Sequence, residues 1–485
     1  MATTIPTNHA AFTLDDLVAA TGGEAVRTMA GEAAGVSTDT RHLRPGNVFV
    51  ALRGAKYDGH AHIREACDAG AAVVVVSRPV EAPEGVAVVM VGDTLHALGD
   101  LARVHKRRWA KAVRSRGGSG LVVAVTGSAG KTTTCRAIQS VLEASAPAAV
   151  HGSTGNMNNA VGVPMVLLGL DARHEVAVVE LGTSEPGEIA YGASMAEPDV
   201  SVLTLVSCAH AEGLGSFEGV AEEKGAIFVA LGSEGIAIAN ADDERAYAQT
   251  ARTRGKAVLG YGKREGCVVR LVGQTLDGAE QQTLRFTVDR TTFEAKVPLL
   301  GAAGAYACAA AVAVDFGIRG DGFDPARVVQ GLAAIRAEEK RLRPRALNSG
   351  VLVIDDAYNA NPASMADSVR TAGELARQLG RRLLLVLGEM RELGQYTDQE
   401  HERLGRIAYE SGAAKLVAVA GAAEKTAAAA SALGLPSEFL GNAVLASVRV
   451  TAAVRAGDVI LIKGSRGVAL ERVVEALEAA AGGGS

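Results

Sequence analysis

The sequence is poor in the features that mark several classes of protein. Its five cysteines (Cys67, Cys135, Cys208, Cys267 and Cys308) lie far apart, are odd in number and form no C-x-x-C pair. That excludes a disulfide framework and a zinc ribbon, and predicts reduced thiols in a cytoplasmic protein. No run of basic residues dominates: 49 Lys and Arg against 54 Asp and Glu leave a net charge of -5. Bulk electrostatics therefore give no reason to expect a nucleic-acid partner, and an anionic substrate has to be held by local positive groups and backbone N–H donors. No apolar stretch approaches the ~18 residues that would cross a bilayer, and "MATTIPTNHAAFTLDDL" at the N-terminus lacks a basic segment leading into an apolar core. Neither membrane insertion nor export is expected. The closing "AAAGGGS" reads as a flexible tail.

What is present is material for several interiors. The 485 residues suit about three domains. Hydrophobic content of 48% with 57 Gly and 4% aromatics fits an α/β habit of strands and helices joined by tight turns. Short elements such as "NVFVAL" and "AAVVVVS" fill residues 12 to 100, and the basic stretch "HKRRWAKAVRSR" before "GGSG" reads as a solvated helix end followed by a hinge. From Leu121, apolar strands at 121–125, 176–181, 200–206 and 235–239 alternate with helical segments, as crossover-connected parallel strands require. Beyond about residue 335 a second series, "VLVIDD", "RRLLLVLGEM", "KLVAVAG" and "DVILIKGS", predicts another doubly wound sheet. The expected domain limits are 1–116, 117–335 and 336–485.

Three stretches carry chemistry. In "VVAVTGSAGKTTT" a strand meets Gly127, Ser128, Ala129, Gly130, Lys131, Thr132 and Thr133 and then a helix. Glycines let backbone N–H groups turn toward phosphate oxygens, the helix N-terminus adds positive potential, Lys131 neutralises charge and Thr132 offers a hydroxyl to Mg²⁺. The loop is short: the usual spacing puts Gly where Val125 stands. In "EVAVVELGTSEPGEIA", Glu180 ends a strand where open parallel sheets bind ligands and could serve Mg²⁺; its plainer role is a turn residue. In "SVLTLVSCAHAEGLGS" another strand delivers His210 to the same edge, as a metal or acid-base candidate or a satisfied polar side chain. Lys224 by itself reads as a surface lysine.

Together with "GNMNNAVGVP", "PGEIA", "SFEGVAEEKGAIF", "IDDAYNANPASM" and "IKGSRG", these motifs resemble the Mur ligases, and within them the branch that joins D-alanyl-D-alanine to UDP-N-acetylmuramoyl-tripeptide. "STDTRHLRPGNVFVALRGAKYDGHAHI" is similar to that family's UDP-recognition domain. The resemblance covers nearly the whole chain. It implies an N-terminal UDP-binding α/β domain, a central ATP-binding parallel sheet and a C-terminal Rossmann-like domain, with ATP and Mg²⁺ used to make an acyl phosphate that an amine attacks. A cytoplasmic monomer is expected. The resemblance also implies that Glu180 and His210 bind metal with Thr132, that Lys224 carries a carbamate beside a second magnesium, and that Lys131, His210 and Lys224 serve catalysis. Asn156, Asn158 and Asn159 would line the substrate channel, and Ser37, Asp39, Thr40 and Arg41 the uridine-diphosphate pocket. Arg341 and Asp356 would lie by ATP, Tyr358 and Asn359 by the incoming dipeptide, and Lys463 and Arg466 by substrate carboxylates.

The chain also departs from the family pattern. Where G-x-H-N-x-x-N is usual, it has Gly301-Ala302-Ala303-Gly304-Ala305-Tyr306-Ala307; Ser184-Glu185, Leu205 and Lys340 are further differences. Three readings stay open: a working ligase that holds adenosine differently, a weakened relative that still binds UDP-linked muropeptide, or another amide ligase of the superfamily of the diamino-acid-adding or folyl-polyglutamate type. The missing side chains predict looser adenosine binding.

Overall fold

The computed structural model describes residues 6–482 except 29–30, 55–56, 147–148, 154 and 209–210. Among the described residues three large sheets follow one another along the chain. The first has five strands, with Val36–Ser37, Val48–Val50, Val73–Val76 and Ala87–Met90 parallel and Glu24–Arg27 antiparallel at one edge. The second has nine, in the order Thr291–Val297, Gln281–Val288, Val269–Asp277, Ala257–Gly262, Ile236–Asn240, Val200–Leu203, Leu121–Thr126, Val176–Glu180, Val150–Gly152. The third has six: Leu352–Asp356, Val459–Lys463, Leu383–Gly388, Lys415–Val419 and Ser437–Leu440 run parallel, and Arg343–Ala346 adds an antiparallel edge.

The strands expected at the start of the second sheet and throughout the third are present within a few residues. Each is a β-branched or Leu-rich run buried on both faces, as sheets covered by helices on both sides demand. The antiparallel extension Val269–Val297 is a feature that parallel-strand reasoning did not anticipate. Its alternating burial and the Asp277-Gly278 turn, with Gly278 at φ +76°, are the local signals of a hairpin.

Two corrections concern helices. The basic stretch is a helix end as expected, with Arg107, Arg108, Lys111 and Arg114 exposed, but its other face is not solvated. It lies in the Thr94–Ser115 helix, capped by Asp93, whose apolar stripe of Leu98, Leu101, Trp109 and Val113 is buried. Lys106 is buried and donates to the Glu197 carbonyl at 2.9 Å, Arg107 grips the Glu197 carboxylate, and Arg114 reaches Asp199 at 3.1 Å. These contacts hold Glu197 in a left-handed conformation, φ +41°, at the end of the Glu188–Ala196 helix. The second correction is that Gly301–Arg319 opens a segment that does have the length and apolarity to cross a membrane. It packs inside the second domain instead, against Lys131–Glu143, with Ala307 to Val314 in the core.

Candidate active site

Strand Leu121–Thr126 ends at the C-terminal edge of the nine-stranded sheet, in the loop that leads to helix Lys131–Glu143. Gly127 adopts φ +151°, and a Cβ there would lie 1.9 Å from the Thr204 hydroxyl oxygen. That hydroxyl donates to the Ala129 carbonyl at 2.6 Å. Ser128 donates its N–H to Leu205 at 2.8 Å, and its hydroxyl accepts the Ser207 N–H at 2.9 Å. The loop is therefore clamped onto the exit of the neighbouring strand Val200–Leu203, and its shortness is the geometry of that clamp. Gly130 has φ +79°, a left-handed turn into the helix that only Gly adopts without strain. Lys131 bridges the loop by donating to the Gly127 carbonyl at 2.9 Å. Burial pushes its pKa down, while the nearby Glu180 carboxylate opposes the shift.

The loop forms one wall of a cavity of about 1150 Å³. Thr132, Thr133, Asn156, Asn158, Asn159 and Glu180 belong to the same wall, and Arg341, Asp356, Tyr358, Asn359, Lys463 and Arg466 face them from the third domain. Asn158 donates to Glu180 at 2.7 Å, so the buried carboxylate is held toward the loop. Asn159 turns its oxygen to the N–H groups of Val161 and Gly162 and caps the Gly162–Leu168 helix. Its side chain thus has a structural task in addition to its place on the wall.

Lys224, read by itself as a surface lysine, is fully buried in the Phe217–Val229 helix. Its Nζ has no hydrogen-bond partner among the described residues. Burial first, and then the positive charge of Lys131, push its pKa well below the ordinary lysine value. An unpaired buried amine is costly, and the neutral form is a nucleophile. The adjacent Glu223 is tied down by the N–H groups of Gly187 at 2.7 Å and Ile189 at 2.8 Å, which fixes the "PGEIA" turn against this helix.

The third domain reaches the loop directly. Arg341 donates to the Thr132 hydroxyl at 3.0 Å, pairs with Glu338 at 3.0 Å and lies over the Tyr358 ring at 4.4 Å. Asn361 donates to the Ser128 carbonyl at 3.3 Å. Lys463 is buried and spends its charge on Asp356 at 2.7 Å and on the Asn359 carbonyl at 3.1 Å. Its main task is therefore to order the "DDAYNAN" turn rather than to wait free for a carboxylate. Arg466 is exposed on the cavity side, 5.9 Å from the Tyr358 ring.

Other candidates fall elsewhere. Ser37, Asp39, Thr40 and Arg41 cluster in the first domain and do not line this cavity. Asp39 accepts from Arg41 at 2.7 Å, and that guanidinium holds its carboxyl well below the usual carboxylate range. Ser37 donates to the Asp39 carbonyl, Thr40 reaches Glu65, and the Arg41 guanidinium is largely exposed. His210 lies outside the described residues. Among the described residues no cluster of three or more His, Cys, Asp or Glu could hold a metal on its own. Beside the loop stand the Glu180 carboxylate and the Thr132 hydroxyl, with the orphaned Lys224 amine buried behind the cavity wall within electrostatic reach of Lys131. That set fits a magnesium ion that takes most of its oxygens from phosphates and water. Sequence reasoning missed Thr204, Glu338 and Asp367. Their partners are distant in sequence, so no local pattern could single them out.

Comparison with known proteins converges on one family. The descriptions "Mur ligase family, catalytic domain", "Mur ligase middle domain" and "Mur ligase, glutamate ligase domain" match residues 32–106, 125–314 and 340–466. The chain is 34% identical over 451 residues to the UDP-N-acetylmuramoyl-tripeptide--D-alanyl-D-alanine ligase of Escherichia coli (strain K12), covering 91% of this chain and 93% of that one. Its structure is similar to a crystal structure of MurF from Acinetobacter baumannii, with TM-score 0.86, 28% identity and coverage of 97% and 99%. It is also similar to the MurF ligase of Thermotoga maritima in complex with ADP, with TM-score 0.78, 28% identity and coverage of 93% and 98%. The chain belongs to the Mur ligase family, among its D-alanyl-D-alanine-adding ligases.

Proposed function

We propose that this chain joins D-alanyl-D-alanine to UDP-N-acetylmuramoyl-tripeptide at the expense of ATP, in the synthesis of peptidoglycan precursors, as a cytoplasmic monomer with domains 1–116, 117–335 and 336–485. The observation that carries the reading is the shared cavity, in which the clamped phosphate loop and the strand ends of the third domain face each other. A carboxylate is a poor electrophile. Transfer of the γ-phosphoryl group to its oxygen, with ADP leaving, turns that oxygen into a good leaving group. The dipeptide amine then attacks the acyl carbon, phosphate departs and the amine proton is lost.

The protein's share is positioning and charge neutralisation. Lys131, half-buried and bound across the loop, would meet the phosphates together with the helix N-terminus; Asn158 would keep Glu180 aimed at the metal position. Mg²⁺, when bound, would neutralise charge on the transferred group. Lys224 fits carbamylation because its amine is buried and unpaired, and burial favours its neutral form. The carbamate would turn a group that repels cations into an oxygen donor. Asp39 and Arg41 would receive the uridine-diphosphate end in the first domain, and Arg466 and Tyr358 the dipeptide in the third. Incubation with both substrates, Mg²⁺ and ATP, followed by mass spectrometry, should reveal the pentapeptide, ADP and phosphate. A folded preparation that makes no amide at high ATP would overturn the ligase reading in favour of a relative that only binds the UDP-linked muropeptide, the reading that the altered segment 301–307 supports.

A further inference from the structure

We infer that Asp367 is a positioning residue that closes the active site by capping, across the domain seam, the N-terminus of helix Gly301–Arg319. The inference rests on the ligase reading for its kinetic consequences, but its geometry stands apart from it. Asp367 lies in the Pro362–Leu379 helix of the third domain, and its two carboxylate oxygens accept the N–H groups of Ala302 at 2.9 Å and Ala303 at 3.1 Å. The Gly301–Arg319 helix has no side-chain cap from its own Leu300. Its first N–H groups would otherwise be orphaned, since the opening turn of any helix lacks internal acceptors. A carboxylate there satisfies two of them and meets the positive end of the helix dipole.

The approach is built for contact. Gly301 sits at φ +74°, and a Cβ on it would lie 2.4 Å from the Thr371 hydroxyl and 3.0 Å from an Asp367 oxygen. A side chain at 301 would wedge the two helices apart. The same Pro362–Leu379 helix also hydrogen-bonds the second domain at its start, where Asn361, its N-cap, donates to the Ser128 carbonyl of the phosphate loop, and its Met365 and Val369 join an apolar patch with Leu276 and Leu300. Asn361 and Asp367 are less than two helical turns apart. One rigid helix is thus pinned to the phosphate loop at its start and to the Gly301–Arg319 helix further along, and two points set the direction of an axis where one would leave a pivot. The cap also uses the segment where His and Asn are missing. Exposed Ala303 and buried Gly304 offer no side-chain hydrogen bond, so the backbone N–H groups of this turn serve the domain seam.

The test compares the full chain with D367A, D367N and G301A by small-angle scattering without ligands and by steady-state kinetics. D367A should open the molecule, increasing its radius of gyration, and should raise KM for the dipeptide about tenfold, with nucleotide affinity at the phosphate loop changed less than about twofold. D367N keeps one capping oxygen but sets an NH2 group against the second N–H and loses the charge, so both readouts should fall between D367A and the parent. G301A should open the molecule with Asp367 intact, which separates the seam from any effect on folding of the Pro362–Leu379 helix. Unchanged scattering in D367A and G301A overturns the inference. Scattering that responds in a chain that makes no amide leaves the cap in place and sinks the ligase reading alone.

Discussion

The two seams of this molecule are built from different chemistry. Between the first and second domains the interior is continuous: Phe12, Leu17, Val48 and Val75 belong to one apolar cluster with Val122, Met165, Ile189 and Phe228. The Thr94–Ser115 helix runs through it, and Gly99 lets it approach so closely that a Cβ would lie 2.6 Å from Met195 and Tyr191 atoms. Between the second and third domains the centre is a cavity, bordered by single polar contacts such as Arg341 to Thr132, Asn361 to Ser128 and Asp367 to Ala302, with a smaller apolar patch that includes Cys208, Leu276 and Leu300. Apolar burial contributes over a whole area, whereas each polar contact is worth about 0.5 to 1.5 kcal/mol net. The first seam makes one body of two domains. The second rests on a few separate contacts, so breaking any one of them removes a larger share of what holds the third domain in place.

The largest effect should come from breaking the first seam. Trp109, buried among both domains and donating to the His174 carbonyl at 3.2 Å, should cost about 3 to 5 kcal/mol when cut to Ala. Urea unfolding should display one transition shifted for both domains; separate melting of the first domain alone would show that the seam is weaker than its continuous core implies.

Lys224 sharpens the comparison from the other side, because its unpaired buried amine costs stability and the proposed carbamate would give that cost a use. Lys224→Met should reduce turnover by about a hundredfold while leaving the melting temperature equal or higher, since an apolar side chain replaces an unpaired buried amine. The sign of the pH dependence follows from the lowered pKa. Below the ordinary lysine pKa near 10.5 the unfolded chain holds a proton that the folded chain releases, so this group's contribution to stability rises with pH between its folded pKa and 10.5. Added bicarbonate should raise both melting temperature and turnover of the parent and neither of the variant. A variant as active as the parent would remove Lys224 from the mechanism.

Much of this was legible in sequence because it is local. The Gly-rich loop before Lys131 and the strand end at Glu180 announce themselves by a Gly-Lys-Thr turn and by an acid closing an apolar run, whereas Asp356 came only with the family resemblance. Lys224 was illegible from pattern alone: in "AEEKGAIF" it has charged neighbours on one side, and only the fold reveals that the helix turns it inward. The buried Lys106 was hidden the same way, since a basic run looks solvated until Glu197 and Asp199 arrive from ninety residues away. The seam contacts were beyond reach for the same physical reason: a helix cap supplied by a distant domain leaves no mark near the helix it caps.

A milder break belongs to the second seam. Arg341→Ala removes the contact with Thr132, the pair with Glu338 and the stacking on Tyr358, all on a half-exposed side chain. Stability should fall by no more than about 1 kcal/mol, while turnover should fall about tenfold as the third domain loses its hold on the phosphate loop. A loss of stability as large as that of Trp109→Ala would mean that the two seams do not differ as their chemistry says.

The smallest effect concerns the altered turn. Missing side chains at 303, 304 and 307 predict looser adenosine binding, and restoring all three would be the natural test; the packing makes the three positions unequal. Ala303 is exposed beside the cavity, so His fits there. Gly304 does not have that freedom: a Cβ would meet Leu299 Cβ at 2.9 Å and Gln282 Nε2 at 3.3 Å. Ala307 is 2% exposed, set between the second domain's core and the cavity wall, so an Asn amide there would have to displace tight packing to reach a polar partner. Ala303→His alone should therefore tighten ATP by about 0.5 to 1.5 kcal/mol at most, one hydrogen bond's worth, with little change in melting. Gly304→Asn and Ala307→Asn should each lower stability before they improve binding, through overpacking and an unsatisfied amide. Titration of ATP and GTP into parent and Ala303→His, with melting curves for all three variants, separates the terms. Tight, adenine-selective binding by the parent would mean that other groups on the cavity wall hold the base, and unchanged melting of Gly304→Asn and Ala307→Asn would mean that the turn can open to admit the side chains it now excludes.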